Sequence, residues 1–324
     1  QVICLDGNCK KMSLEVLKKI TLLASRGVII CGQIPSTAAS MYDSSREFES
    51  IVKDIWFSGR ANVFGGKWLE DVMPASRIAP DWIILNGSGI RVVHRKLSDG
   101  HIYWVNSPVS EPQTAEISLR THGLKPQKWN PVNGEISDLT YRFDGDRTVV
   151  SLNFEPNDAF FIVLREKTDE KSFTLPEKKS AVLKQLDIEG SGCWTEKPET
   201  RYFSGTRSYI SKVDIPEFTG NLFLDLGEVY NLAQILIDGQ EVCTLWKAPF
   251  KTDISDYIKG KKSIELEIRV TNLWVNHLIG DAMKDPSQRS SYVSSEFYNG
   301  TEPLQKSGLL GPVVLIETTS TSND

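Results

Sequence analysis

Long apolar runs are missing from these 324 residues. No stretch approaches the roughly 18–20 consecutive apolar residues that a membrane helix needs, so a membrane is not an expected partner. Charge of one sign is missing as well. Lys and Arg number 37 against 42 Asp and Glu, for a formal charge of -5, with no block of about five or six like charges anywhere, and nucleic acid is therefore not an expected partner either. The five cysteines, Cys4, Cys9, Cys31, Cys193 and Cys243, form no CxxC pair and keep no Cys/His spacing typical of zinc. Their default reading is as small buried hydrophobes, with a Cys4–Cys9 disulfide left open.

The usual catalytic signatures are absent too. No GxSxG elbow, HExxH helix, GKS/GKT loop or EF-hand loop occurs, and His94, His101, His122 and His277 are scattered. Gly87 and Gly89 in "NGSGIRV" lack a third glycine and run into β-type residues, which makes them a plain turn. Acids are plentiful, but glycosidase chemistry needs two of them facing one sugar, about 5–5.5 Å or about 6.5–9.5 Å apart according to mechanism. Those most visible here occupy solvent faces of strands (Glu265, Glu267) or a hairpin turn (Asp238). No catalytic residue, metal ligand or cofactor site is expected within the chain.

What is present is enough apolar residues, 40%, for a large core, over a length that suggests about two or three domains. The opening "QVICLDGNCKK" has neither an initiator Met nor a signal-peptide pattern, and we read Gln1 as a cut end inside a longer protein. Residues 1–82 read as part of an α/β domain with a parallel sheet, strand then helix twice over. In "MSLEVLKKITLLASRG", Leu14, Leu17, Ile20, Leu22 and Leu23 recur near helical spacing, with Ser13 as cap and Gly27 as stop. Residues 83–168 read as an antiparallel β domain of short strands, several with a period of two, as in Leu139, Tyr141, Phe143 and Val150, Leu152, Phe154. The charged segment 169–182, which carries Pro176, reads as a linker. Residues 183–324 read as a C-terminal jelly-roll β-sandwich, with Leu222, Leu224, Leu226 and Ile264, Leu266, Ile268, Val270 facing inward and Asp238-Gly239 as a type I′ hairpin. The fold class expected is mainly β.

Aromatics supply the candidate site. Trp246 in "LWKAPF" and Trp274 in "NLWVNH" each follow a strand and sit among polar residues, where a flat ring can stack on a sugar while polar groups hold its hydroxyls. Either ring could equally close the end of the sandwich core. Continuing the alternation past Val270 puts Asn272 at the strand's end as a shaper of the following loop, Leu278 and Ile279 as its apolar anchor, and Trp274, Asn276 and Asp281 on an outward rim.

Taken together, "YFSGTRSYISKVDIP", the run from "LFLDLGEVYNL" to "VTNLWVNHLIGD", and "SGLLGPVVLI" resemble the sugar-binding jelly roll of glycoside hydrolase family 2. The upstream "IRVVHRKLSDGHIYWVNS" and "KWNPVNGEISDL" resemble the C-terminal half of the family 106 α-L-rhamnosidases. The residues that carry the likeness are His94, Arg95, Ile102, Tyr103, Val105, Asn106, Trp129, Asn130, Pro131, Gly134 and Glu135. The resemblance implies catalytic acids and a calcium site in a barrel upstream of Gln1, that barrel and carbohydrate as partners, and a periplasmic or secreted location. Carbohydrate contact would fall to Trp246, Trp274, Asn276, His277 and Asp281. One departure stands out, because relatives place Arg where this chain has His277, and imidazole lacks the guanidinium's fork of donors. An accessory region of a family 2-like β-glycosidase and an interaction module without sugar contact are the alternatives.

Overall fold

The computed structural model describes residues 2–76, 79–295 and 297–320. The chain is mainly β and forms two compact units: residues 1–83 with 118–122 and 146–148, and residues 84–117, 123–145 and 149–324.

In the first unit, strands Val2–Leu5, Ile29–Gly32 and Val63–Gly65 lie side by side in parallel, with Val2 opposite Ile29 and Ile30 opposite Val63. Helix Leu14–Ser25 starts where the Ser13 side chain accepts from Val16 N (3.4 Å) and stops at Gly27, whose φ of 85° favours glycine. Its buried stripe is Leu14, Leu17, Ile20 and Ala24, while Leu22 faces out. Helix Ser45–Trp56 buries Phe48 and Ile55 against the same core. The five cysteines are all free thiols, including Cys4 and Cys9, and only Cys31 and Cys193 are buried.

Two sandwiches fall in the larger unit, apart from the ends of strands Gln113–Leu119 and Arg147–Phe154. In the middle one, a sheet ordered Ile136–Asp138, Leu124–Trp129, Ala159–Lys167, His101–Asn106, Arg91–Lys96 is joined by a second, containing Thr140–Asp144, Arg147–Phe154 and Gln113–Leu119. Period-two burial of Val150, Leu152 and Phe154 meets that of Phe160, Ile162 and Leu164, and the Phe154 and Phe160 rings stack at 5.0 Å.

Segment 169–182 is not without pairing. Ser172–Phe173 pairs with Thr140–Asp144, and Lys178–Leu186 pairs with Val313–Ser320. Both are edge strands, and no side chain from 169 to 182 is buried, so the alternation that marks a strand is absent there while its charge suits an exposed edge.

In the C-terminal sandwich, one antiparallel sheet runs Lys178–Leu186, Val313–Ser320, Asn221–Asp225, Lys251–Asp253. The other runs Thr206–Asp214, Ser263–Thr271, Leu232–Ile237, Gln240–Leu245. Leu222, Leu224, Leu226, Ile264, Leu266, Ile268 and Val270 all point into the shared core, as their spacing predicts. The side chain that closes this core is Trp194, fully buried, with its Nε1 donating to the Tyr209 hydroxyl at 2.6 Å.

The hairpin at Asp238-Gly239 has φ of 50° and 78° and joins Ile237 directly to its partner Gln240, the two-residue turn expected. A Cβ on Gly239 would meet no atom within 4 Å, so only the backbone term resists substitution. Gly239→Val is expected to cost about 1–2 kcal/mol. Urea unfolding measures it, and an unchanged midpoint would contradict the turn assignment.

Candidate functional site

Strand Ser263–Thr271 ends at Asn272, and the reason is chemical: an inward amide needs partners. Asn272 is 6% exposed, its Oδ1 accepts from Gly205 N (2.9 Å), and its Nδ2 donates to Phe203 O (2.8 Å) and Ser307 Oγ (3.1 Å). Leu273 and Trp274 then turn outward, and Trp274 is 70% exposed.

Beyond Trp274 the chain forms helix Val275–Ala282 rather than a polar loop. Its buried face is Asn276, Ile279, Gly280 and Asp281, and Gly280 lies so close to Tyr202 that a Cβ would stand 2.6 Å from the ring. Two of the four are polar, which is why apolar periodicity did not reveal the helix. The apolar anchor is Ile279, buried, with Leu278 half-buried.

Of the three residues expected on an outward rim, Trp274 is exposed, whereas Asn276 and Asp281 are buried and that expectation is corrected for them. Asn276 is 1% exposed, donates to Gln305 O (2.7 Å) and Ser307 Oγ (3.0 Å), and accepts from Gln305 N (2.8 Å). Asp281 is 2% exposed and gathers the following loop. Its Oδ1 takes Lys284 Nζ (2.7 Å), and its Oδ2 takes Ser290 N (2.9 Å), Ser291 N (2.7 Å) and Ser291 Oγ (2.7 Å). His277 stays partly exposed, with Nε2 3.0 Å from Ser290 Oγ and 3.6 Å from Asp281 Oδ2. Both polar side chains point inward because a helix turned by Gly280 and Ile279 carries them with it.

The Lys284 ammonium, followed by the Ser291 donors, holds the Asp281 carboxyl well below the usual carboxylate range against the opposing effect of burial. A depressed folded value stabilises the loop above the unfolded pKa of about 3.9, and that contribution is lost as pH falls below it. Hydrogen exchange over residues 284–291 is thus expected to accelerate as pH falls below about 4, beyond the intrinsic pH dependence of exchange. Asp281→Asn should remove that added sensitivity; its persistence in the variant would assign the effect elsewhere.

Beside the helix lies a pocket of about 440 Å³ lined by Leu278, Asp281, Arg289, Tyr292, Phe297 and Tyr298, among others. Tyr292 and Phe297 are 95% and 77% exposed. Trp246, also exposed, comes after strand Gln240–Leu245 at the same end of the sheet as Trp274, since Leu245 pairs with Ala233 and Leu232 with Thr271. The strands they leave are two apart, about 10 Å laterally. Sequence reasoning missed Ser307, the hub shared by Asn272 and Asn276, although "SGLLGPVVLI" carried it as a motif residue. It also missed Lys284, Ser290 and Ser291, which carry no periodic signal.

The upstream motif residues build the scaffold of the middle sandwich. His94 stacks on Tyr103 at 4.1 Å and shares a 2.9 Å hydrogen bond with His101. Asn130 closes the turn after Trp129, its N donating to Glu135 O (2.9 Å) and its Oδ1 accepting from Val132 N (2.9 Å), with Gly134 at a φ of 74°. Among the described residues no group of three or more His, Cys, Asp or Glu could hold a metal ion.

A chain built as a three-stranded parallel sheet and two sandwiches is related to the glycoside hydrolases. Residues 1–143 match the family 106 model, described as alpha-L-rhamnosidase. The rhamnosidase of Novosphingobium sp. PP1Y has a solved structure that is similar over 98% of this chain at 30% identity, with a TM-score of 0.80. A putative beta-glucuronidase of Formosa agariphila is 35% identical in an alignment that covers 38% of this chain. The chain spans 33% of that rhamnosidase and 13% of the glucuronidase.

Proposed function

We propose that this chain is the non-catalytic C-terminal part of an α-L-rhamnosidase-like glycoside hydrolase. It would support a catalytic barrel supplied by the rest of the polypeptide and meet carbohydrate at the Trp274 end of its jelly-roll-like sandwich. The observation that carries the sugar contact is the Trp274 ring, 70% exposed at the start of a helix whose buried face is pinned by Asn276 and Asp281. A flat apolar surface on a fixed base is what sugar stacking uses. A periplasmic or secreted location belongs to the same proposal and rests on the resemblance.

The second reading, a bracing module without sugar contact, is favoured by the inward turn of Asn276 and Asp281, which leaves Trp274 fewer polar companions than the sequence suggested. Calorimetric titration of the chain with rhamnose-containing oligosaccharides separates the two. Binding lost in Trp274→Ala at unchanged urea midpoint supports the first reading, and no binding by the parent chain supports the second. With aryl rhamnosides the chain alone is expected to show no turnover above buffer, because glycosidase rates rest on a carboxylate pair. Hydrolysis abolished by a single Asp or Glu substitution would overturn the non-catalytic assignment.

A further inference from the structure

Asp158 and Asp281 are the two carboxylates buried among the described residues, and Asp158 takes no part in the rim. It ends the turn 155–158 between strands Arg147–Phe154 and Ala159–Lys167 of the middle sandwich. The turn is held on every side. Asn157 sits at a φ of 52° with its N donating to Val109 O (2.8 Å), the Asp158 carbonyl accepts from Ser107 N (2.8 Å) and Asn106 Nδ2 (3.3 Å), and its Oδ1 accepts from Ala159 N (3.0 Å).

Into this fixed acceptor reaches Lys247, 89 residues further on and part of the C-terminal sandwich, with its Nζ 2.8 Å from Oδ1. Lys247 is itself anchored through its loop, because Phe250 is buried and its carbonyl accepts from Leu226 N at 2.9 Å. A second ammonium, Lys128 of strand Leu124–Trp129, lies 3.9 Å from Oδ2 and 4.0 Å over the Phe160 ring. Burial pushes the Lys128 ammonium below the usual lysine range, and the Asp158 charge opposes that. One carboxylate with a side chain 12% exposed thus serves ammoniums from both sandwiches.

The covalent route between the sandwiches runs from strand Ser172–Phe173, paired in the middle sandwich, to strand Lys178–Leu186, paired in the C-terminal one, and it buries no side chain from 169 to 182, so it tethers the two without packing one against the other. We propose that the Lys247–Asp158 pair, flanked by Lys128, is a latch that fixes the C-terminal sandwich against the middle one and sets the position of the loop that carries Trp246. A charge-assisted hydrogen bond to a rigid, poorly hydrated acceptor has the strength and direction for that role, whereas an exposed pair between flexible side chains would not.

The test uses the full chain and three variants, Lys247→Met, Lys247→Arg and Asp158→Asn, with the Met/Asn double variant. Lys247→Met keeps the stem and removes the charge, and it leaves the Asp158 turn its own hydrogen bonds, so it does not depend on Asp158→Asn folding. Hydrogen exchange of peptides covering 155–160 and 246–250 is expected to accelerate about tenfold or more in Lys247→Met. Small-angle scattering should report a larger radius of gyration, exchange in the two sandwich cores should stay unchanged, Lys247→Arg should restore the parent values, and the double variant should go no further than the worse single one. Unchanged exchange in 155–160 with unchanged scattering in Lys247→Met, or strictly additive singles, would overturn the latch.

Discussion

Trp194→Ala is expected to destabilise the C-terminal sandwich by about 3–5 kcal/mol, the range for truncating a core aromatic. The ring is fully buried, meets Phe203 edge-on at 5.4 Å, and gives its N–H to Tyr209. Backbone has been fitted around it as well, since a Cβ on Gly308 would stand 2.7 Å from the indole. Trp194→Phe should recover most of the packing but leave the Tyr209 hydroxyl without its donor, at a cost of about 1–3 kcal/mol. Urea midpoints of the two variants check the order. Equal losses would mean that the hydrogen bond, and not the packed ring, dominates.

Asn272→Ala should lower stability by about 3 kcal/mol, because it strips Gly205 N and Phe203 O of partners in a site that is 6% exposed. Trp274→Ala, two residues on, should stay within about 0.5 kcal/mol of the parent, as a solvent-facing substitution does. The contrast tests how the chain divides labour at the end of strand Ser263–Thr271. If both substitutions cost the same large amount, the Trp274 ring is a plug of the core and the carbohydrate reading fails.

The distinction between those neighbours was partly legible in the sequence. Alternation from Ile264 to Val270 predicts that Asn272 faces inward, and an inward amide predicts hydrogen bonds, which the structure bears out. The direction of Trp274 was not legible, because alternation ends with the strand and nothing local says which way the chain turns. Trp246 and Trp274 were both candidates for closing the sandwich, yet the closing ring is Trp194. It sits in a 3-10 turn, Trp194–Glu196, without periodic neighbours, so no pattern pointed to it.

By itself, the sequence determined what depends on near neighbours: the mainly β class, the helix Leu14–Ser25 with its Ser13 cap, the Asp238-Gly239 turn, the inward faces of the strands, and the family likeness. These arise from local backbone preference and from the period of two or 3.6 that burial imposes on a regular element. Only the tertiary structure decided which polar groups lie inside. Asn276 and Asp281 look like rim residues in a polar stretch, but they are buried because Ser307, Gln305, Ser290, Ser291 and Lys284 supply their partners. Asp158 meets Lys247 across 89 residues in the same way. A buried amide or carboxylate is tolerated only where its hydrogen bonds are met, and those partners come from segments far along the chain, whose arrival no local pattern records.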